Sequence, residues 1–257
     1  MSLPIITVVA GLSGSGKTTW ISQQIRDVPS VEKVIYFCPG TGNVPIDQTK
    51  IATEFPNLKL FGDGQEIEFL YQIPTADSVY IELGSYLQLD SVSKILDHLT
   101  YHAIAVIPPE LKNSEYNHWA NEIIYGAPAP MIIGENLWRV GTTGQVIDEN
   151  SLEEFWYEVT HGAYGTVIRA KAIFDVNDGR SLYCDFLNGV PEIGFLELDL
   201  PRHLQGRPRR FSGIEIVGKN LDETALKSTL SDCCLSESLI FQYQQQVQQI
   251  LLEGQQV

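Results

Sequence analysis

Nearly every position of "PIITVVA" (residues 4–10) is apolar. A continuous β-branched run of this kind predicts a strand buried on both faces of a sheet. The period then changes: in "TWISQQI", Trp20, Ile21 and Ile25 recur at helical spacing and predict an amphipathic helix packed on that sheet. "KVIYF" (33–37) predicts a second strand, and "CPGTGNVPID" (38–47), with two glycines and two prolines, predicts a loop. A third strand, "SVYIEL" (78–83), leads into "GSYLQLDSVSKILDHL", where Val92, Ile95, Leu96 and Leu99 share one helical face. "HAIAVIPP" and "APMIIG" (129–134) add two short apolar runs. Strands alternating with helices predict an α/β fold with a doubly wound parallel sheet.

The pattern changes again near residue 135. Residues 135–164 are polar and aromatic and are expected to connect two units. Beyond them "TVIRAKAIF" (166–174) and "SLYCDFL" (181–187) alternate as strands around "NDGR", whose Asp178-Gly179 is a hairpin signal. "GFLELDL" and "GIEIVG" follow as strands, then "NLDETALKSTLSDCCL" as a helix capped by Asn220 or Asp222. The expected division is a domain over 1–140, a linker over 141–164, a small α+β domain over 165–235, and a glutamine-rich surface helix or frayed tail over 236–257.

Charge and cysteine content narrow the function classes. The formal net charge of −15 argues against broad nonspecific nucleic-acid binding, because few cations are present to displace counterions from phosphates. The four cysteines, Cys38, Cys184, Cys233 and Cys234, form no Cys-x-x-Cys pair, and the N-terminus shows no basic region followed by a long apolar run. A reducing cytoplasm is the expected location. No apolar segment nears the roughly 20 residues that cross a bilayer, so no membrane insertion is expected.

The chemistry is concentrated in "VVAGLSGSGKTTW". Gly11 and Gly16 bracket a loop followed by the cation Lys17 and the hydroxyl of Thr18, the Gly-x-x-x-x-Gly-Lys-Thr spacing of a phosphate-binding loop. Backbone amides through Ser13, Gly14, Ser15, Gly16 and Thr19, with the positive end of the following helix, are expected to cradle the phosphates of GTP or ATP. Magnesium in such a site needs a carboxylate at the end of a neighbouring parallel strand. Glu82, closing "VYIEL", holds that position, and Asp47 in the preceding loop is a further candidate, so the expected magnesium set is Thr18, Glu82 and Asp47, with Lys17 and Glu82 as the catalytic pair.

Several of these segments together resemble the CobW family of P-loop GTPases, which are linked to cobalamin synthesis and metal trafficking. "GLSGSGKTTW" is similar to the family's phosphate loop, "NVPID" (43–47) to its first switch, and "YIELGS" (80–85) to its acidic strand. "YGTVIRAKAIFDVNDGRSLYCDFLNG" and "GIEIVGKNLDETALKSTLSDCCL" resemble the opening and closing of its C-terminal domain. The resemblance implies a P-loop NTPase sheet followed by a small α+β domain, weak magnesium-dependent NTP hydrolysis, and a metallochaperone-like switch that docks a client metalloprotein. The interval "QTKIATEFPNLKLFGDGQEIEFL" carries no cysteine where the family has Cys-x-Cys-Cys, and Pro39 and Gly40 stand where it has Asn-Glu. No Asn-Lys-x-Asp is present to read guanine, so Asn136 in "GENLW" is the candidate for the base. Alternatives are a non-catalytic nucleotide-binding adaptor and a small-molecule kinase.

Three further features have ordinary readings. His98 and His102 stand four apart but straddle an expected helix end, Cys233–Cys234 reads as a packed pair, and "PRHLQGRPRR" (201–210), with four arginines, as a solvated loop.

Overall fold

The computed structural model describes residues 3–29, 32–85, 87, 89, 96, 99–111, 113–127 and 136–254. The chain forms two compact units, Met1–Pro130 and Met131–Val257.

The first unit is built on a six-stranded parallel sheet. Its strands are β1 (Ile5–Ala10), β2 (Val34–Phe37), β3 (Lys59–Phe61), β4 (Ser78–Glu82), β5 (His102–Ile107) and β6 (Glu122–Tyr125), in spatial order β3-β2-β4-β1-β5-β6. Side chains alternate across the sheet, and both faces are apolar. Ile6, Val8 and Ala10 of β1 join Ile35 and Phe37 on one face, where Phe69 stacks on Phe37 with ring centroids 4.4 Å apart. On the other, Val9, Tyr36, Ile104 and Val106 meet Ile21 and Ile25 of α1 (Lys17–Asp27) and Ile51 of α2 (Ile46–Glu54). Two covered faces explain why the strands read as unbroken apolar runs. Trp20 packs against this second cluster, half-buried, as the helical spacing predicts.

Three elements of this unit lack a strong sequence signal: α2, the short β3, and α3 (Glu66–Gln72). Neither α2 nor α3 carries a side-chain N-cap. The helix expected after β4 falls mostly outside the described residues, Val92, Ile95 and His98 among them, although Leu89 and Leu96 are buried against Phe69's face. The strand expected at 129–134 also lies outside them, and the sixth strand is instead "EIIY" in β6, preceded by α4 (Glu115–Trp119).

The second unit is an α+β layer. Its antiparallel sheet runs β10-β9-β8-β11-β7, with β7 (Asn136–Gly141), β8 (Thr166–Asp175), β9 (Ser181–Leu187), β10 (Leu196–Glu197) and β11 (Gly213–Lys219). This corrects the expected boundaries. Residues 136–141 are an edge strand of this second sheet, and the expected linker contains α5 (Glu149–Thr160), whose Leu152, Phe155, Trp156 and Val159 enter the core. Most of the aromatic residues that set the region apart, Trp138, Phe155, Trp156 and Tyr164, are core residues of the next unit, whereas Tyr157 is exposed. Asp148 caps α5 by accepting from Ser151 N.

The hairpin at Asp178-Gly179 forms as predicted, with Gly179 at φ 87°. Asp222, not Asn220, caps α6 (Glu223–Asp232), its carboxylate accepting from Ala225 N at 3.0 Å. The C-terminal segment is the 18-residue helix α7 (Glu237–Gly254). Its glutamines dock it: Gln244 bonds both the N–H and the C=O of Gly206, at 2.8 and 2.7 Å, and Gln248 donates to Leu204 O. The arginine-rich segment is also tied down within its own unit, contrary to a solvated loop. Arg202 pairs with Asp178, Arg207 with Glu237 and Leu235 O, and Arg210 with the buried Asp175 at 2.6 Å.

Candidate nucleotide site

The phosphate loop leaves the carboxyl end of β1 and enters α1 at Lys17. Gly16 is the residue before the helix, at φ 103°, and no side chain caps the amides of the first turn. An uncapped N-terminus keeps its donors and its partial positive charge directed at the loop.

Two close approaches hold the loop in shape. A Cβ on Gly11 would stand 2.0 Å from Val106 O of β5, and one on Gly126 would stand 1.8 Å from Ser15 O. Ala127 N donates to that same Ser15 oxygen at 3.2 Å. Residues Gly126 and Ala127, which follow β6, therefore brace the loop from behind. No local motif marks them in the sequence.

Lys17 is buried, and its ammonium donates to Gly11 O, Leu12 O and Ser85 Oγ, each at 3.0 Å. Ser85 belongs to the segment after β4, so this cation joins the loop to the acidic strand. Thr18 Oγ1 donates to Glu82 Oε1 at 2.7 Å, which brings the expected hydroxyl and carboxylate together. Glu82 is buried at 3% exposure and closes β4, one strand over from β1. Its other oxygen accepts from Tyr36 OH at 2.8 Å.

The electrostatics follow from this packing. Burial pushes the Glu82 carboxyl above the usual carboxylate range and the Asp47 charge adds to the push, while Lys17 and the hydroxyls of Thr18 and Tyr36 pull it back. Asp47 sits in the first turn of α2 and is close enough to act on both Glu82 and Tyr36. Tyr36 is raised well above its ordinary value, first by burial and then by Cys38, Glu82 and Asp47. Thr18, Glu82 and Asp47 are all oxygen donors, the set that suits a hard divalent cation such as magnesium and not a soft metal.

The loop between β2 and α2 is held from the far side. Asp63, just after β3, accepts from Gly40 N at 2.7 Å and Gly42 N at 2.6 Å. Gly84 N donates to Pro39 O at 3.0 Å. The loop that precedes the segment resembling a first switch is thus fastened to the loops after β3 and β4.

Of the residues expected here, Gly11 through Thr19, Glu82 and Asp47 lie in the first unit at the carboxyl end of its sheet. Asn136 belongs to the second unit, where it opens β7 opposite Gly218. His102 opens β5 and faces Glu122 across 3.4 Å. Cys233 donates to Ser151 O, its thiol pushed up to about 11 by burial and nearby negative groups, and Cys234 donates to Leu230 O. Sequence reasoning missed Tyr36, Asp63, Ser85 and Gly126. Tyr36 alone carried a signal, as a hydroxyl in an otherwise apolar strand that must find a partner when buried.

A phosphate cradle between a parallel strand and a helix, with an acidic residue closing the adjacent strand, defines a P-loop nucleoside-triphosphatase fold, here followed by an α+β unit. No family model matches the chain, and no curated protein matches it. Among solved structures it is similar to the Zn(II)-bound YjiA GTPase from E. coli, at 12% identity over 91% of this chain and 99% of that chain, with a TM-score of 0.32. A Zn(II)-bound triple mutant of YjiA GTPase gives the same identity, coverage and TM-score.

Proposed function

We propose that the chain binds a nucleoside triphosphate with magnesium at the carboxyl end of its parallel sheet and hydrolyses it slowly, as a switch of the CobW type whose second unit docks a client protein. The observation that carries this reading is the 2.7 Å bond from Thr18 to Glu82 beside a buried Lys17, which joins the cation and hydroxyl of the phosphate loop to an acidic residue on a neighbouring strand. Lys17 would exchange part of its bonding to Gly11 O, Leu12 O and Ser85 for phosphate oxygens. The amides of the loop and of the first turn of α1 would donate to the same phosphates. Thr18, Glu82 and Asp47 would hold the magnesium ion, which when bound supplies charge neutralisation for the phosphates.

Slow turnover in this reading is what the resemblance to the CobW family implies. Fast hydrolysis needs a group that positions water and a cation for the developing charge. Among the described first-unit residues, Arg26 pairs with Glu54 on the surface and is committed elsewhere. The client-docking role rests on the resemblance to the CobW family.

Thermal shift with magnesium and GTP or ATP tests binding. Wild type at 100 times the dissociation constant gains about 2.7 kcal/mol, whereas Lys17→Ala melts at the same temperature with and without nucleotide. Equal shifts in the two proteins overturn the assignment of the cradle. Phosphate release then separates a hydrolase from a non-catalytic adaptor.

A further inference from the structure

The Glu82 carboxylate has two oxygens, and only one is explained by the phosphate-loop motif. Oε1 meets Thr18, the hydroxyl of that motif; Oε2 meets Tyr36. The strand register explains how. Tyr36 of β2 lies beside Tyr80 of β4, and the period of two puts Tyr36, Tyr80 and Glu82 on the α1 face of the sheet. From there the phenol reaches forward along β4 to the carboxylate at its end. Tyr36 has no exposed surface and its ring belongs to the buried cluster with Val9, Ile21, Ile25 and Ile51, which holds the hydroxyl in place.

We infer that Tyr36 is a positioning residue of the magnesium site, an inference that rests on the magnesium–nucleotide reading above. Its hydroxyl occupies Oε2 and fixes the rotation of the carboxylate, so that Oε1 is presented beside Thr18. Without that donor, Glu82 would keep, among the described residues, the hydrogen bond from Thr18, and would be free to turn about its last torsion. Asp47 would then push it away from the shared site, because two carboxylates repel where no cation lies between them. Phe in place of Tyr keeps the ring and removes the hydroxyl, with its bond to Glu82 and its interaction with Cys38. The affected step is therefore metal binding, with the phosphate cradle left intact.

The test uses the full chain and a fluorescent nucleotide triphosphate, titrated in excess chelator and again at increasing magnesium. For Tyr36→Phe the affinity in chelator stays within about twofold of wild type. The magnesium concentration that gives half of the affinity gain rises about tenfold, equivalent to about 1.4 kcal/mol. In a Glu82→Gln background the same change adds nothing, since the carboxylate it positions is gone. An unchanged magnesium response in Tyr36→Phe overturns the inference, as does an equal loss with and without magnesium, or a Tyr36→Phe chain that no longer folds, because each makes Tyr36 an ordinary core residue. Wild-type binding that ignores magnesium would instead overturn the underlying reading of the site.

Discussion

At the scale of single residues, the site depends on side chains whose absence is as important as their presence. Gly126 precedes Ala127, whose amide bonds Ser15 O, and any Cβ at 126 would collide with that oxygen at 1.8 Å. Gly126→Ala must therefore displace the phosphate loop, and nucleotide affinity should fall at least about tenfold, about 1.4 kcal/mol; calorimetric titration with an unaltered affinity would show that the loop yields without consequence. Asp178 gives a pH-dependent counterpart in the second unit. Burial alone would raise it, but the Arg180 amide and the guanidinium groups of Arg180 and Arg202 outweigh burial and hold it below the ordinary carboxylate value. A depressed carboxylate contributes stability above its unfolded value and loses it as the pH falls through the folded one. The melting temperature of Asp178→Asn should consequently vary less than that of wild type below about pH 4, and parallel acid limbs for the two proteins would contradict the assignment.

At the scale of elements, polar side chains bonded to backbone groups fix two helices of the second unit. Asp222 caps α6, and Asp222→Ala should cost about 1 kcal/mol in chemical denaturation. Helix α7 looks from composition like a solvated tail, yet Gln244 pairs with both backbone groups of Gly206 and Ile240 is fully buried beside it. Removing the amide ends both bonds to Gly206, which is exposed to water, at about 0.5–1.5 kcal/mol per bond. Hydrogen exchange of Gln244→Ala should show faster exchange in α7 and in residues 204–206 while β8 and β9 stay protected. Uniform protection across the unit would mean that Ile240 holds the helix without Gln244. These contacts also explain a difference in legibility. Helical periodicity announces an apolar face, whereas an amide bonded to a distant backbone leaves no pattern along the chain.

At the scale of the whole molecule, the question is how much of the nucleotide is read. In the proposed function the cradle in Met1–Pro130 would contact phosphates, which GTP and ATP share, while Asn136, the residue that the sequence offers for the base, belongs to Met131–Val257. Affinities for the two nucleotides are expected within about tenfold of each other, about 1.4 kcal/mol. Parallel titrations at equal magnesium check this, and a hundredfold preference for GTP would reveal a base-reading carboxylate elsewhere in the chain.

The strand–loop–helix of the phosphate cradle was determined by the sequence alone, because its geometry is set by contiguous residues: glycines at the turns, a buried apolar strand before them and a helix start at Lys17. The same holds for β8, β9 and their Asp178-Gly179 hairpin, where period and turn chemistry agree. The division of the chain was not legible, since Trp138 and Phe155 look alike in a linker or a core until a sheet exists to bury them. Only the tertiary structure joins Tyr36 to Glu82, Lys17 to Ser85 and Asp63 to the amides of Gly40 and Gly42. Each of those bonds links residues far apart in the chain, and strand order, which no local pattern encodes, is what brings them within reach.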